Sequence, residues 1–470
     1  MSILVPIALF GWPLLVLALF SVMSAPRAVG WAFVGAWLFL PMAGYPIPGL
    51  PDYTKTSVAG YSALLGLAVF RPALLMAVRP KWIDVPVVVL CLVPMASSVT
   101  NGLGIYDGLS AVVGSVATYG VPYVCGRAVY RGWADLSELA RVFVLGGLMY
   151  VPFCLFEVRM SPQLHNMVYG FSQHSFGQTV RGGGWRPMVF MQHGLAVGLW
   201  MAVSSIAGYW MWRQGVLRQF FGVKGGWQVL LLVGTTVLCK STGATGLMVL
   251  IIGLLELGRR VGGRWILLGL LLSSPLFLAG RIAGVWDGRF LVDMSSKNLS
   301  ADRAQSLEFR LDNEDILMAK AMQQPVFGWG GWGRNRVFND EGRDITVTDG
   351  MWIIVLGVNG VVGLAAFYGT ILGGAVVWVW RMKRELWGPE NAAGVALMCV
   401  TAVYAIDCVP NAMLNPVFLL VGAAMVGASS FGGSTATPVI PFVPSKRLTS
   451  RGLAGGVARA EPLSGRSAIE

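Results

Sequence analysis

Long apolar runs without charged residues constrain this chain more than any other feature. Thirteen such runs alternate with polar segments, at about residues 3–22, 28–44, 57–70, 85–98, 109–126, 140–156, 188–212, 228–239, 243–258, 265–281, 350–380, 391–406 and 411–430. Hydrophobic residues make up 55% of the chain, 61 of its 470 residues are glycine, and only 12% are charged. Soluble domains carry about 25% charged residues. So few charges cannot cover a water-facing surface, so the sequence predicts a polytopic membrane protein.

The form of the runs indicates helices. A bilayer core takes about 20 apolar residues as a helix but about 10 alternating residues as a β-strand. The runs do not alternate, which excludes an outer-membrane barrel. We therefore expect an all-α protein with 12 to 14 transmembrane helices in residues 1–430.

Lysine and arginine predict the orientation of these helices. One alternate set of loops, together with the C-terminal tail, holds 21 of the 35 basic residues, whereas the short loops of the other set hold only Lys55 and Lys240. Short loops rich in basic residues stay in the cytoplasm. The two long loops, 157–187 and 281–349, are therefore expected outside, the second as a helical cap. Residues 431–470 are rich in Gly, Ser, Pro and Arg and are predicted to be a disordered cytoplasmic tail touching anionic lipid.

The net charge of +12 follows mostly from this topology. Nucleic-acid binding needs a basic face on a soluble module, which the chain lacks. The first apolar run has no basic start and continues for about 20 residues, which predicts a span rather than a cleaved leader. The six cysteines form no Cys-x-x-Cys pair and the three histidines no His-x-x-x-His pair, so we expect no dedicated metal site and no cofactor.

Candidate binding residues lie in the predicted outer loops. Residues 300–323 are expected to form a helix, on which Arg303 and Arg310 share one face. A guanidinium fork matches phosphate oxygens, although solvated pairing with neighbouring acids is the plainer reading. The following Gly-Trp-Gly-Gly-Trp-Gly run offers Trp329 and Trp332, which can stack on a sugar ring or anchor in the headgroup belt.

Further cations come from two other stretches. Arg181 and Arg186 precede an apolar run that contains His193, and Arg186 is either a phosphate ligand or a snorkelling arginine; His193 either joins it or only bonds a neighbouring helix. The run before Lys240 is short for a span, so the Lys240 turn is expected inside the outer leaflet, lining a cavity or snorkelling. Finally, Asp349 opens the run 350–380, where it is expected as an N-cap or a functional carboxylate, two roles that do not exclude each other.

The order of these motifs resembles the O-antigen ligase and polymerase superfamily. The resemblance covers roughly residues 181–364. It rests on Arg186-Pro187 with His193, the Lys240-Ser-Thr-Gly turn, Ser306-Leu-Glu-Phe-Arg310, Pro325-Val-Phe-Gly328-Trp329-Gly330, and Asp349 followed by Gly360-Val-Val-Gly363. The ligases have a histidine before the Gly-x-x-Gly helix where this chain has Asp349. That difference weakens an assignment as a true ligase, although a carboxylate can serve as general base equally well.

The resemblance implies a GT-C-like membrane glycosyltransferase of the bacterial inner membrane, with its active site facing the periplasm. Such an enzyme transfers a glycan from an undecaprenyl-pyrophosphate carrier to an acceptor hydroxyl, with inversion and without metal, in O-antigen, lipopolysaccharide or exopolysaccharide synthesis. Carried over, Arg186, Lys240 and Arg310 meet the pyrophosphate. Arg181, Arg303 and His193 are secondary candidates, and Asp349 is the candidate general base. Membrane lipid and proteins of polysaccharide chain-length control or export are the expected partners.

Two other functions stay open. A transporter or lipid-glycan flippase usually places ionisable residues near the bilayer midplane and shows repeated halves. The charged residues within these runs fall near the ends instead, and no repeat is evident. A non-catalytic assembly or sensor protein predicts that the outer arginines matter only through expression level.

Overall fold

The chain is a bundle of apolar helices in a computed structural model. The structure describes residues 2–181, 183–217, 219–220, 222–298, 301–331, 333–382 and 384–430. The predicted tail, residues 431–470, lies outside the described part of the chain. Within it, all-α architecture is confirmed, since the strands form only three two-stranded hairpins.

The first half of the chain contributes nine helices and two hairpins. The helices are α1 (Leu4–Val22), α2 (Ala25–Phe39), α3 (Lys55–Phe70), α4 (Pro72–Met76), α5 (Val85–Thr100), α6 (Ile105–Ser115), α7 (Val121–Val129), α8 (Trp133–Met160) and α9 (Leu164–Tyr169). One π-helical turn, Val116–Gly120, joins α6 to α7. The antiparallel hairpins are β1 (Gly44–Ile47) with β2 (Leu50–Thr54) and β3 (Val180–Arg181) with β4 (Gly184–Trp185).

The second half contributes the remaining elements. They are α10 (Gly194–Arg213), the hairpin β5 (Gln219–Phe220) with β6 (Val223–Lys224), α11 (Gly225–Leu238), α12 (Thr242–Val261), α13 (Trp265–Ile282), α14 (Arg289–Asn298), α15 (Ala301–Ala321), α16 (Met351–Arg381), α17 (Ala392–Asp407) and α18 (Pro416–Ser430). The helices α14 and α15 form a cap on one end of the bundle, here called the cap end.

Eight helical segments among the described residues are long and apolar enough to cross a membrane. Three shorter apolar helices, α3, α11 and α18, accompany them. A membrane protein is thus supported, while the count of 12 to 14 spans stays a prediction. The backbone N–H of Ser2 donates to Tyr169 O at 2.9 Å, which puts Ser2 beside the end of α9.

One predicted span begins later than expected. The run 188–212 is helical only from Gly194, since residues 188–193 form a buried turn that His193 ends as the N-cap of α10. The helix predicted over residues 300–323 is present as α15, Ala301–Ala321.

The long helix α16 is broken inside the bundle. Gly360 adopts φ 67° and ψ −170°, a region open essentially only to glycine. Segment 325–330 docks against the break by four backbone hydrogen bonds: Trp329 N to Gly357 O, Gly330 N to Val358 O, Val361 N to Pro325 O and Val362 N to Val326 O, at 2.8 to 3.3 Å. The backbone groups released by the break are therefore paired, as a low-dielectric environment requires. The two glycine motifs noted in the sequence meet here.

Candidate functional site: a cation cluster at the cap end

Cationic side chains from three separate stretches converge at the cap end. They are Arg181 and Arg186 from the segment before α10, Lys240 from the turn between α11 and α12, and Arg310 from α15. Together with His193, these residues are called the cation cluster below. The charges of Arg181, Arg186 and Arg310 act on His193, and Lys240 joins the cluster through hydrogen bonds with Arg186 and Arg181.

The imidazole of His193 reports on the charges around it. Burial, the largest cause, and the charges of four neighbouring groups together lower the pKa of His193 to about 4. In decreasing order of effect these are His174, Arg186, Arg181 and Arg310. His193 is therefore neutral at pH 7. Its Nδ1 accepts from Leu195 N at 3.0 Å, so the proton resides on Nε2, which faces Gln178 Oε1 at 3.3 Å. His193 is a hydrogen-bond donor here.

Two turns bring Arg186 and Lys240 together. Helix α11 begins at Gly225 and is 14 residues long, about 21 Å. The chain then turns at Lys240, whose φ of 51° is left-handed. Arg186 Nη2 donates to Lys240 O at 3.1 Å, and Lys240 Nζ donates to Arg181 O at 3.1 Å. Arg186 is only 9% exposed, so it does not snorkel to bulk headgroups.

The next contact joins the cap to the start of α16. Arg310 Nε lies 3.3 Å from Asp349 Oδ2, and Arg310 Nη1 donates to Pro410 O at 3.2 Å. Both charged side chains are about one third exposed. The sequence offered Asp302, Glu308 and Glu314 as partners for the cap arginines, and Arg310 pairs with Asp349 instead. The expectation that Asp349 caps α16 is wrong, because the N-cap is Gly350 and no side chain caps this helix.

A second carboxylate belongs to this site and was missed. Asp407 is the last residue of α17 and is 8% exposed. It accepts a hydrogen bond from Asn411 Nδ2 at 2.8 Å and interacts electrostatically with Arg310. The sequence indicated only that it ends an apolar run. The sequence signal that could have found Asp407 is its place at the end of a span, on the same predicted side as Asp349. With Asp407 and Asp349, the site holds four cations and two carboxylates, an excess of positive charge that suits an anion.

The candidate sugar-stacking residues lie elsewhere or outside the described residues. Trp329 donates from Nε1 to Lys320 O at 2.9 Å, and the Lys320 ammonium lies 3.8 Å from its ring centroid. One face of the Trp329 ring is thus covered, and the hydrogen bonds of this residue join it to α15, to α16 and to Arg334 rather than to the cation cluster. Trp332 lies outside the described residues. So does the side chain of Arg303, although its backbone belongs to α15.

The cap is fixed to the bundle beside this site. Arg281, 1% exposed at the end of α13, lies 3.5 Å from Glu314 Oε2 through Nε and 2.9 Å from Asp315 Oδ1 through Nη2. Trp352 Nε1 donates to Glu314 Oε1 at 3.2 Å. Glu314 follows Arg310 by four residues, so both face the first turn of α16. The two contacts together set the register of the cap helix against α16.

Metal ligands do not gather in the described part of the chain. No group of three or more His, Cys, Asp or Glu side chains there is placed to hold a metal ion. All six cysteines are buried and free. The thiols of Cys154 and Cys239 are in hydrogen-bonding contact, which ties α8 to the Lys240 turn.

Comparison with known proteins adds no relative. No protein-family model matches the chain, and no curated protein matches it. Any functional conclusion therefore rests on the cation cluster and the two carboxylates beside it.

Proposed function

We propose that this protein is a metal-independent, inverting membrane glycosyltransferase that polymerises or ligates a bacterial surface glycan. Its donor is a glycan on an undecaprenyl-pyrophosphate carrier, and its acceptor is a hydroxyl on the periplasmic face of the inner membrane. The observation that carries the proposal is the convergence of Arg181, Arg186 and Arg310 on a neutral His193, with Lys240 hydrogen-bonded to Arg181 and Arg186 and with Asp349 in contact with Arg310.

The chemistry fits these residues. A pyrophosphate leaving group keeps its negative charge into the transition state, where fixed cations stabilise it, each by about 2.7 to 4 kcal/mol at comparable electrostatic sites. Arg186, Lys240 and Arg310 supply those cations, and the Nε2–H of His193 supplies a further donor. The attacking hydroxyl must lose a proton, and Asp349 is the candidate base. Its contact with Arg310 ties the base to a phosphate ligand, so both are oriented together.

Removal of the base and of one phosphate ligand tests the proposal. We expect Asp349→Asn and Arg310→Ala each to lower the rate of glycan transfer at least a hundredfold. In a complemented deletion strain, this loss is measured as a reduced amount or length of surface polysaccharide. Arg310→Lys, which keeps the charge but loses the fork, is expected to recover only part of the activity. Arg343→Ala and Asp340→Asn are matched controls, because both residues are exposed in the segment between α15 and α16 and lie outside the cluster.

Protein level must be measured alongside polysaccharide. Normal polysaccharide length and amount in both site variants contradicts the proposal. A loss that follows only from reduced protein favours the non-catalytic assembly or sensor function.

Among the residues that the structure describes, the broken helix α16 is a feature that favours transport, since transporters often bind substrate at discontinuous helices. At this break, however, the released backbone groups are paired with segment 325–330. Substrate flux through reconstituted vesicles without glycan elongation is the result that favours a transporter or flippase.

A further inference from the structure

The backbone between Arg186 and His193 forms a buried and strained turn. Met188, Val189, Phe190 and Met191 are each at most 6% exposed. Val189 has a φ of 50°, a left-handed conformation that a β-branched residue rarely adopts. Such strain persists only where the surroundings over-determine the backbone conformation.

Side chains from distant parts of the chain hold this turn. Glu157 Oε2 accepts from Met188 N at 2.8 Å and from Val189 N at 2.7 Å, and its Oε1 accepts from Leu164 N at 2.9 Å. One carboxylate therefore ties the chain just after α8 to the chain just before α10. Glu157 is 1% exposed, so these hydrogen bonds replace water entirely.

Three more side chains complete the set. Tyr150 Oη accepts from Phe190 N at 3.1 Å, and Lys55 Nζ donates to Phe190 O at 2.9 Å. Gln173 Nε2 donates to Val189 O at 3.1 Å and to Met191 O at 3.0 Å. We call Lys55, Tyr150, Glu157 and Gln173 the turn clamp. It comes from α3, from α8 and from the loop after α9.

One face of α8 contacts two of the chain segments that carry the cation cluster, residues 186–193 and the Lys240 turn. Tyr150, Cys154 and Glu157 are spaced by four and three residues, so they lie on one side of the helix. Tyr150 and Glu157 hold the turn that joins Arg186 to His193, and Cys154 contacts Cys239, the neighbour of Lys240. The last three turns of α8 thus fix the backbone that carries Arg186 and Lys240.

We propose that Glu157, with Lys55, Tyr150 and Gln173, is a positioning group that sets the spacing of Arg186 and His193 for the reaction. The inference rests on the proposed function for its catalytic consequence, but the geometry that it predicts is measurable without glycan transfer. Misplacement of a binding group by about 1 Å lowers rates by about a hundredfold. A clamp that holds a strained turn in place is therefore a determinant of rate rather than of folding alone.

The three histidines of the chain offer a direct readout. Isotope-labelled histidine is followed by NMR against pH, with His193 assigned by single substitution of His165, His174 and His193. Burial, His174 and the cluster arginines hold the pKa of His193 at about 4. If the turn loosens, His193 gains water and moves away from those charges, so its pKa rises toward about 6.5.

Two variants and one control make the test. We expect Glu157→Gln and the milder Gln173→Ala to raise the pKa of His193 by at least one pH unit and to lower kcat/KM for the lipid-linked donor roughly tenfold to a hundredfold per folded protein. Asp84→Asn is the matched control. Asp84 is a buried carboxylate that accepts from Tyr123 and Arg127 far along the chain from the turn, so its loss is expected to leave His193 unchanged.

Each outcome of this experiment either supports or overturns the proposed role of the turn clamp. An unmoved His193 in Gln173→Ala and in folded Glu157→Gln overturns the clamp, as does a shifted His193 with undiminished transfer. Gln173 lies in a loop and is half-buried, so its variant gives a result even where Glu157→Gln does not fold. A shifted His193 in a protein whose wild type transfers no glycan upholds the clamp geometry and rejects the proposed function instead.

Discussion

At the residue scale, the charged side chains around the site pair with groups far from them in the chain. Asp349 had two compatible readings, N-cap and functional carboxylate, and the helix begins one residue later than an Asp349 cap requires, which leaves its carboxylate to Arg310. Glu157 and Lys55 were visible as rare charges at span ends, yet their partners are backbone groups about 30 and 135 residues away. Sequence spacing does not reveal such distant contacts, because they form only when the helices pack.

Glu314 gives a prediction at this scale. Burial raises the pKa of Glu314 to about 7, against the lowering effects of Trp352 and Arg281. Between pH 4.5 and pH 7 the folded protein therefore binds more protons at this site than the unfolded chain, so stability falls as pH rises through this window and is level above it. Relative to Glu314→Gln, we expect the wild type to lose about 3 kcal/mol of unfolding free energy from pH 4.5 to pH 8. Unfolding curves of both proteins at each pH measure this, and parallel pH profiles are the contrary result.

At the element scale, periodic and capped segments were predictable and docked segments were not. Residues 300–323 carry helix signals, and α15 occupies nearly that range. Residues 188–193 read as the apolar start of a span, but they form a turn held by the clamp. The break in α16 was equally hidden, since glycine is common in membrane helices and the partner segment 325–330 lies about 30 residues earlier.

The break predicts a contrast between two glycines of α16. The backbone at Gly360 is left-handed, and a Cβ there would clash with Val326 O. A Cβ at Gly373 meets nothing within 4 Å. We expect Gly360→Ala to destabilise the protein by about 2 to 4 kcal/mol. Gly373→Ala is expected to be neutral or to stabilise by about 0.5 to 1 kcal/mol. Thermal unfolding of the purified variants measures the difference, and equal midpoints argue against the docked break.

At the scale of the whole molecule, composition was sufficient for the class of protein, and the basic residues predict its orientation. The three stretches that form the cation cluster all belong to loops of one predicted side, so their proximity to one another was a reasonable expectation. Which side chains actually meet depends on long-range packing, which is why Asp407 was missed and why the contacts of Trp329 with α15 and α16 were not foreseen.

The orientation itself is testable by cysteine labelling, with low background because all six native cysteines are buried. Asp340 in the segment between α15 and α16 and Ala134 at the start of α8 are both exposed. With a membrane-impermeant maleimide, we expect Asp340→Cys to react in spheroplasts and Ala134→Cys to react only after lysis. The reverse pattern would place the cation cluster in the cytoplasm and remove the periplasmic donor from consideration.

The central claim is that the cation cluster receives a pyrophosphate. An experimental structure of the protein in lipid nanodiscs with undecaprenyl pyrophosphate tests this most directly. The account predicts density for both phosphates within hydrogen-bonding distance of Arg186, Lys240 and Arg310, close to the Nε2–H of His193. Phosphates bound away from these side chains, or a cluster that stays without phosphate at saturating carrier, would contradict it.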